Sequence, residues 1–136
     1  GPSGVGEETS LVFGQRWRVQ TDGLVGEVDA LAAAERFGVE VVPMRDFTPA
    51  AVPAIDGPLY ISIDLDGLDP AYAPGVAHPE PGGLSVRQLL DVLARQSAPV
   101  IGGDVVEYNP GRDVGGVTAV VAAKLVKELC ALASRG

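Results

Sequence analysis

Histidine and cysteine are almost absent from this chain: there is one of each in 136 residues. A single cysteine cannot close an internal disulfide, so the chain is no disulfide-stapled secreted domain and suits a reducing compartment or indifference to redox. A single histidine excludes a multi-histidine metal site made from this chain alone. Positive charge is also scarce, with 10 Lys and Arg against 18 Asp and Glu and a net charge of −8. Phosphate affinity needs concentrated positive charge, which argues against binding to nucleic acid or to an anionic membrane surface. No apolar run approaches the roughly 20 residues of a membrane-spanning helix. The start, Gly1-Pro2-Ser3-Gly4, has no initiator Met and no charged segment ahead of an apolar one, so it does not read as a signal peptide. It reads as a scar, a cleavage remnant or the edge of a fragment.

What is present describes one globular domain: 46% of residues are apolar and 21% charged. The excess of acid points to cationic substrates or hard metal ions. Strand and helix periods alternate, which predicts an α/β layout. A weak strand is expected over residues 11–19, then a helix over 27–37 and a short strand over 39–42 stopped by Pro43. Pro49, Pro53 and Pro58 mark a loop. Leu59-Tyr60-Ile61-Ser62-Ile63 is the strongest strand, apolar enough to be covered on both faces of a parallel sheet. Pro70, Pro74, Pro79 and Pro81 exclude a regular element from 64 to 83. Ser85 caps a helix over 86–96 that turns Leu89, Leu90, Val92 and Leu93 inward. A buried strand over 100–107, a loop over 109–116 and a helix over 117–134 complete the chain. Val117, Val120, Val121, Leu125, Leu129 and Leu132 form the last helix's apolar side, Cys130 packs near it, and Lys124 and Glu128 pair opposite.

The chemistry centres on Asp64-Leu65-Asp66. Side chains alternate along a strand, so Asp64 and Asp66 are expected on one side. They stand at the strand's C-terminal end, where open α/β sheets place their ligands. Neighbouring carboxylates repel and are costly to desolvate, and a hard divalent cation resolves both problems. The other reading is that they cap the following loop. Asp69, before Pro70, shapes a turn. Asp104 and Glu107 interrupt the next apolar strand and need partners. Glu107 either faces the same site and holds a cation such as a guanidinium, or pairs with Arg112. His78 is either a solvated loop side chain or part of the pocket mouth. Glu80 reads as structural or exposed.

The motifs carry a family resemblance. Ser62-Ile63-Asp64-Leu65-Asp66-Gly67-Leu68-Asp69-Pro70-Ala71-Tyr72-Ala73-Pro74-Gly75 resembles the second metal-binding motif of the ureohydrolases, the arginase and agmatinase family. Pro79-Glu80-Pro81-Gly82-Gly83-Leu84-Ser85 and Asp104-Val105-Val106-Glu107-Tyr108-Asn109-Pro110 are similar to its next two blocks, in order and at suitable spacing. The tail from Val117 to Leu125 also matches. Arg36-Phe37-Gly38-Val39-Glu40, Met44-Arg45 and His78 resemble the plant-type arginases. The likeness is specific from about Arg36 to Leu132 and fades before Glu27.

This resemblance implies a three-layer α/β/α fold with a mainly parallel sheet. Only its C-terminal half would be present, over residues 25–136, with residues 1–24 unassigned. It implies hydrolysis of a guanidino substrate, arginine or agmatine, to urea at a binuclear Mn²⁺ centre. Asp64 and Asp66 would be metal ligands, Glu107 would hold the guanidinium, and His78 would sit near that pocket, where relatives often carry Thr. The family's first half supplies a Gly-Gly-Asp-His block and an Asp-Ala-His-x-Asp block with the remaining ligands, and neither occurs here. The chain alone is therefore expected to be nearly inactive. The alternative is a non-catalytic paralogue serving as a structural or interaction subunit. Half a sheet would leave an unpaired edge, so a homo-oligomer or a partner chain covering the missing half is expected. The compartment is expected to be intracellular, cytoplasmic or mitochondrial.

Overall fold

The structure, a computed structural model, describes residues 9–13, 36, 40–52 and 55–135. Three parallel strands form one sheet in chain order: β1 (Thr9–Phe13), β2 (Leu59–Asp64) and β3 (Val100–Val106). Two helices follow the later strands, α1 (Val86–Ala94) after β2 and α2 (Val117–Ser134) after β3. The predicted α/β layout and parallel sheet are both present. No helix among the described residues is long and apolar enough to cross a membrane.

Strand β2 organises the core. Leu59, Ile61 and Ile63 are fully buried, whereas Tyr60, Ser62 and Asp64 on the opposite side are half-buried. A strand read as covered on both faces is thus sealed on one face by the described residues. The reason lies in its polar positions. The Tyr60 hydroxyl donates to Asp104 Oδ2 at 2.7 Å, and the Ser62 hydroxyl donates to Oδ1 at 2.6 Å. These bonds give the Asp104 carboxylate the partners that its place in an apolar strand requires.

Pairing between β2 and β3 slips after Leu59. Leu59 faces Val100, but Tyr60 faces Gly102, which leaves Ile101 as an extra residue, 53% exposed. Gly102 and Gly103 then let bulky neighbours close in from both sides. A Cβ on Gly102 would lie 3.1 Å from the Tyr60 ring, and one on Gly103 would lie 2.7 Å from the Ile61 carbonyl oxygen and 3.2 Å from a Leu129 methyl.

Helix α1 begins as its sequence predicts. Ser85 Oγ accepts the Gln88 N–H and Gln88 Oε1 accepts the Ser85 N–H, a reciprocal capping box. Leu89, Val92 and Leu93 are buried. The helix ends at Ala94, short of Gln96, whose side-chain amide donates to the Val92 carbonyl. Helix α2 buries Thr118, Leu125, Leu129 and Leu132. Val117 and Val120, expected inside, are exposed, the latter at 71%. Thr118 takes the inward place because its hydroxyl accepts the Gly75 N–H at 2.8 Å. Cys130, expected to pack, is also exposed, since it lies about 100° around the helix from buried Leu129. The Lys124–Glu128 pair forms at 2.6 Å.

Two further expectations change. The strand expected over 39–42 does not form at 40–42, which carry no regular structure. Strand β2 already has β1 and β3 on its two sides, so this segment finds no edge there to pair with. The strand expected over 11–19 begins earlier, at Thr9, and its part beyond Phe13 lies outside the described residues. The helix expected over 27–37 also lies outside them, apart from helical Arg36.

Close approach at Gly103 yields the first prediction. Gly103→Ala should lower unfolding stability by roughly 1–3 kcal/mol, because α2 and β2 must both retreat from the new methyl. Urea unfolding of both chains measures it, and equal midpoints would contradict this account of the sheet–helix contact.

Candidate functional site

The site is built where β2 and β3 end. Strand β2 stops at Asp64 and passes into a 3-10 turn, Leu65–Gly67, with all three residues buried. Asp64 Oδ1 accepts the Asp66 N–H at 3.0 Å, so Asp64 is the cap of that turn. Strand alternation is therefore not what joins the two acids. Asp66 stands in the turn, and the fold-back brings its carboxyl group against that of Asp64. Asp66 is only 2% exposed.

The electrostatics of Asp64 follow. Burial pushes its pKa up to about 7, against the lowering effect of the Asp66 N–H. Contact with the Asp66 carboxyl group and the charges of Asp66 and Glu107 push in the same direction as burial. Asp64, Asp66 and Glu107 thus share one electrostatic neighbourhood. A cation placed among them would be stabilised by all three, and carboxylate oxygens suit a hard divalent ion. Among the described residues no group of three or more His, Cys, Asp or Glu side chains could hold a metal ion. Asp64 and Asp66 fit a share of a metal site and fall short of a whole one.

Glu107 follows β3 directly and has φ +74°, the one positive value at a non-glycine among the described residues. A left-handed conformation costs a side chain about 1–2 kcal/mol, so the surroundings must enforce it. Its carboxylate is exposed, and Arg112 forms no ion pair with it among the described residues. Sequence reasoning picked out Glu107 as a carboxylate but gave no sign of its backbone.

The intervening loop is closed at its base. Asp69 accepts the N–H groups of Ala71 at 2.9 Å, Gly82 at 2.9 Å and Gly83 at 3.3 Å. The first two of these bonds chiefly hold its pKa below the usual carboxylate range. The Leu84 N–H donates to Gly67, and Leu84 accepts from Asp69. Asp69 is a turn-shaping residue, as its place before proline predicted. His78 and Glu80 ride on this loop, both exposed, and His78 plays no part in the perturbation of Asp64.

Asp113 was missed by sequence reasoning. Its Oδ1 accepts the N–H groups of Val114 and Thr118, and its Oδ2 accepts the Ala119 N–H and the Tyr108 hydroxyl. Burial alone would raise its pKa, but the N–H groups of Thr118 and Ala119 and the Tyr108 hydroxyl bring it down to about 2. The detectable signal was an Asp shortly before a helix, a favoured place for a carboxylate near an N-terminus.

These two perturbed acids oppose each other with pH. Asp64 is easier to ionise unfolded than folded, so without metal its contribution to stability falls as pH rises from about 4 through about 7. Asp113 contributes fully above the ordinary carboxylate range, and that contribution is lost as pH falls toward about 2. Urea denaturation of the metal-free chain should show greatest stability between these limits. Asp64→Asn should flatten the neutral side; an unchanged profile there would overturn the assignment. Glu107→Gly should stabilise the fold by about 1 kcal/mol through relief of its backbone, whereas Glu107→Gln should not.

Known proteins share this arrangement of sequence and fold. The family model described as the arginase family matches residues 5–131. Arginase 1, mitochondrial, from Arabidopsis thaliana is 53% identical over 110 residues, covering 74% of this chain and 32% of its own length. Agmatinase, mitochondrial, from Gallus gallus is 49% identical over 79 residues, covering 57% of this chain and 23% of its own. The solved arginase from Medicago truncatula superposes with a TM-score of 0.76 at 33% identity, over 93% of this chain and 50% of that one. A triple mutant of the T. brucei arginase-like protein, bound with Mn²⁺, gives a TM-score of 0.74 at 32% identity, over 93% of this chain and 43% of that one. The chain therefore spans about a third of the length of the first of these curated relatives and half that of the Medicago structure. A family match running through nearly all of the sequence, on a parallel sheet that superposes on solved arginases, establishes that the chain belongs to the arginase family.

Proposed function

We propose that this chain is the C-terminal portion of a manganese-dependent ureohydrolase, which adds water across a guanidino group to give urea and an amine. The observation that carries this reading is the contact of Asp64 with Asp66 at the end of β2, within the charge field of Glu107 at the end of β3. In this reading Asp64 and Asp66 hold Mn²⁺ and Glu107 holds the substrate guanidinium. Bound Mn²⁺ would supply Lewis-acid polarisation and a lowered pKa for water.

The chain's own residues have definite tasks. Asp64, reluctant to ionise beside Asp66, gives up its proton when a cation arrives, so metal affinity increases with pH up to about neutrality. Asp66, already sequestered from solvent, needs little further desolvation to bind an ion. Glu107 offers two oxygens to a planar guanidinium, which bonds a carboxylate through parallel N–H donors. His78, on the closed loop between the two strand ends, belongs to the substrate side. Arginine is favoured over agmatine by the plant-arginase likeness. The mitochondrial plant relatives favour an intracellular setting, cytoplasmic or mitochondrial. A partner chain would supply the metal ligands that this sequence lacks, and an oligomer would cover the sheet edge.

The lack of a three-ligand cluster among the described residues also favours a second reading, a non-catalytic arginase-like subunit. The two are separated by urea release with Mn²⁺. The chain alone should release almost none from arginine or agmatine. Supplying the N-terminal portion of a plant arginase should restore turnover, and Asp64→Asn or Asp66→Asn should lower the restored rate by at least roughly 10–100-fold. Failure to restore any turnover in a complex that does form would favour the subunit reading.

A further inference from the structure

Glu107 poses a structural question that its own hydrogen bonds do not answer: what holds a non-glycine residue at φ +74° on the exposed end of a strand. The answer lies in the two residues that follow it. The Tyr108 hydroxyl donates to Asp113 Oδ2 at 2.9 Å. Asp113 Oδ1 accepts the Thr118 N–H at 2.9 Å. Thr118 Oγ1 accepts the Gly75 N–H at 2.8 Å. The Gly75 carbonyl accepts the Asn109 N–H at 2.7 Å. Asn109 is bonded covalently to Tyr108, so the circuit closes.

This ring grips residues 108 and 109 from both ends, the first by its side chain and the second by its backbone. Its parts are firmly seated. Thr118 is fully buried, and the Asp113 carboxylate is further fixed by the N–H groups of Val114 and Ala119. Gly75 is packed so closely that a Cβ there would lie 2.9 Å from Thr118 Oγ1 and 3.1 Å from Asp113 Cβ. Asn109 is held again on its own side, because its Oδ1 accepts the Gly111 N–H at 3.1 Å.

We propose that Asp113 is a positioning residue for Glu107: through Tyr108 on one side and Thr118, Gly75 and Asn109 on the other, it enforces the left-handed backbone that aims the Glu107 carboxylate at the guanidinium. The aim at a guanidinium rests on the reading given above; the enforcement of the backbone does not. The same ring joins the loop carrying His78 to the residues that follow Glu107 and to the start of α2.

NMR of the full chain tests this. A residue at positive φ shows a strong amide–Hα cross-peak within itself. Tyr108→Phe removes a single hydroxyl and leaves the Asp113 bonds to α2 intact. It should abolish that signature at Glu107 and speed amide exchange at Asn109 by about tenfold or more, with exchange inside α2 unchanged. Asp113→Asn should give an intermediate effect and Asp113→Ala a full one; should the latter fail to fold, Tyr108→Phe decides. Tyr60→Phe, which removes a hydroxyl-to-carboxylate bond outside the ring, should leave residue 107 unaltered. A Glu107 signature that survives both Tyr108→Phe and Asp113→Asn would overturn the proposal. Titration with agmatine separates the two claims. If the ring variants disturb residue 107 while Glu107→Gln leaves the agmatine response untouched, positioning stands and the guanidinium role falls.

Discussion

Where β2 ends, Asp64 and Asp66 are forced together, and much of the surrounding structure answers to that contact. Burial and like charge both work against ionising Asp64, yet the Asp66 N–H still finds an acceptor there. The strand cannot carry this load by itself. The fully buried side of β2 fixes its position, and the 3-10 turn folds Asp66 back without letting it reach solvent. A site that holds a carboxyl group back from ionising until a cation is present is a site whose stability and ligand binding are coupled.

The loops beyond the strands are closed by other aspartates. Asp69 gathers three N–H groups and closes the base of its loop, and Asp113 gathers N–H groups at the start of α2. Each carboxylate accepts several hydrogen bonds, and together these outweigh the cost of burial, so both are easily ionised. Asp64 has the opposite surroundings and the opposite pKa shift. The chain thus uses one residue type in two ways: aspartates that accept several hydrogen bonds set the loops, and one crowded by a second carboxyl group stands at the end of β2.

Much of the fold was legible from periodicity and caps. The place of β2, the Ser85 cap and the span of α2 all follow from local rules that tertiary packing did not override. The failures have a common cause. Val117 and Val120 look like core on a helical wheel, but Thr118 is drawn inward by a hydrogen bond to Gly75, a residue 43 positions away. Asp66 looks like a strand residue because alternation was carried one step too far, past the turn that Asp64 itself caps. The backbone at Glu107 had no local sign at all, because a ring assembled from residues 75, 108, 109, 113 and 118 sets it. Apolar spacing reports which residues are inside; it is silent on polar bonds between distant segments, and those are what shape this site.

The sheet face opposite the core shows the same logic extended to a surface. Tyr60 and Ser62 on β2 and Asp104 on β3 lie there in register, beside Gly102. A free carboxylate on that face would hold its water tightly. Asp104 instead has both oxygens occupied by hydroxyls from the neighbouring strand, and Gly102 leaves room for the Tyr60 ring, which a Cβ there would approach to 3.1 Å. Its hydrogen bonds are made within the chain, so covering this face with more protein would not strand a buried charge without partners. Asp64 stands at the end of that same half-buried row and has no such hydroxyl pair. Along one strand face, then, the carboxylate within the sheet is bonded by two hydroxyls, and the one at the rim is crowded by a second carboxyl group instead, which is why burial and like charge raise its pKa.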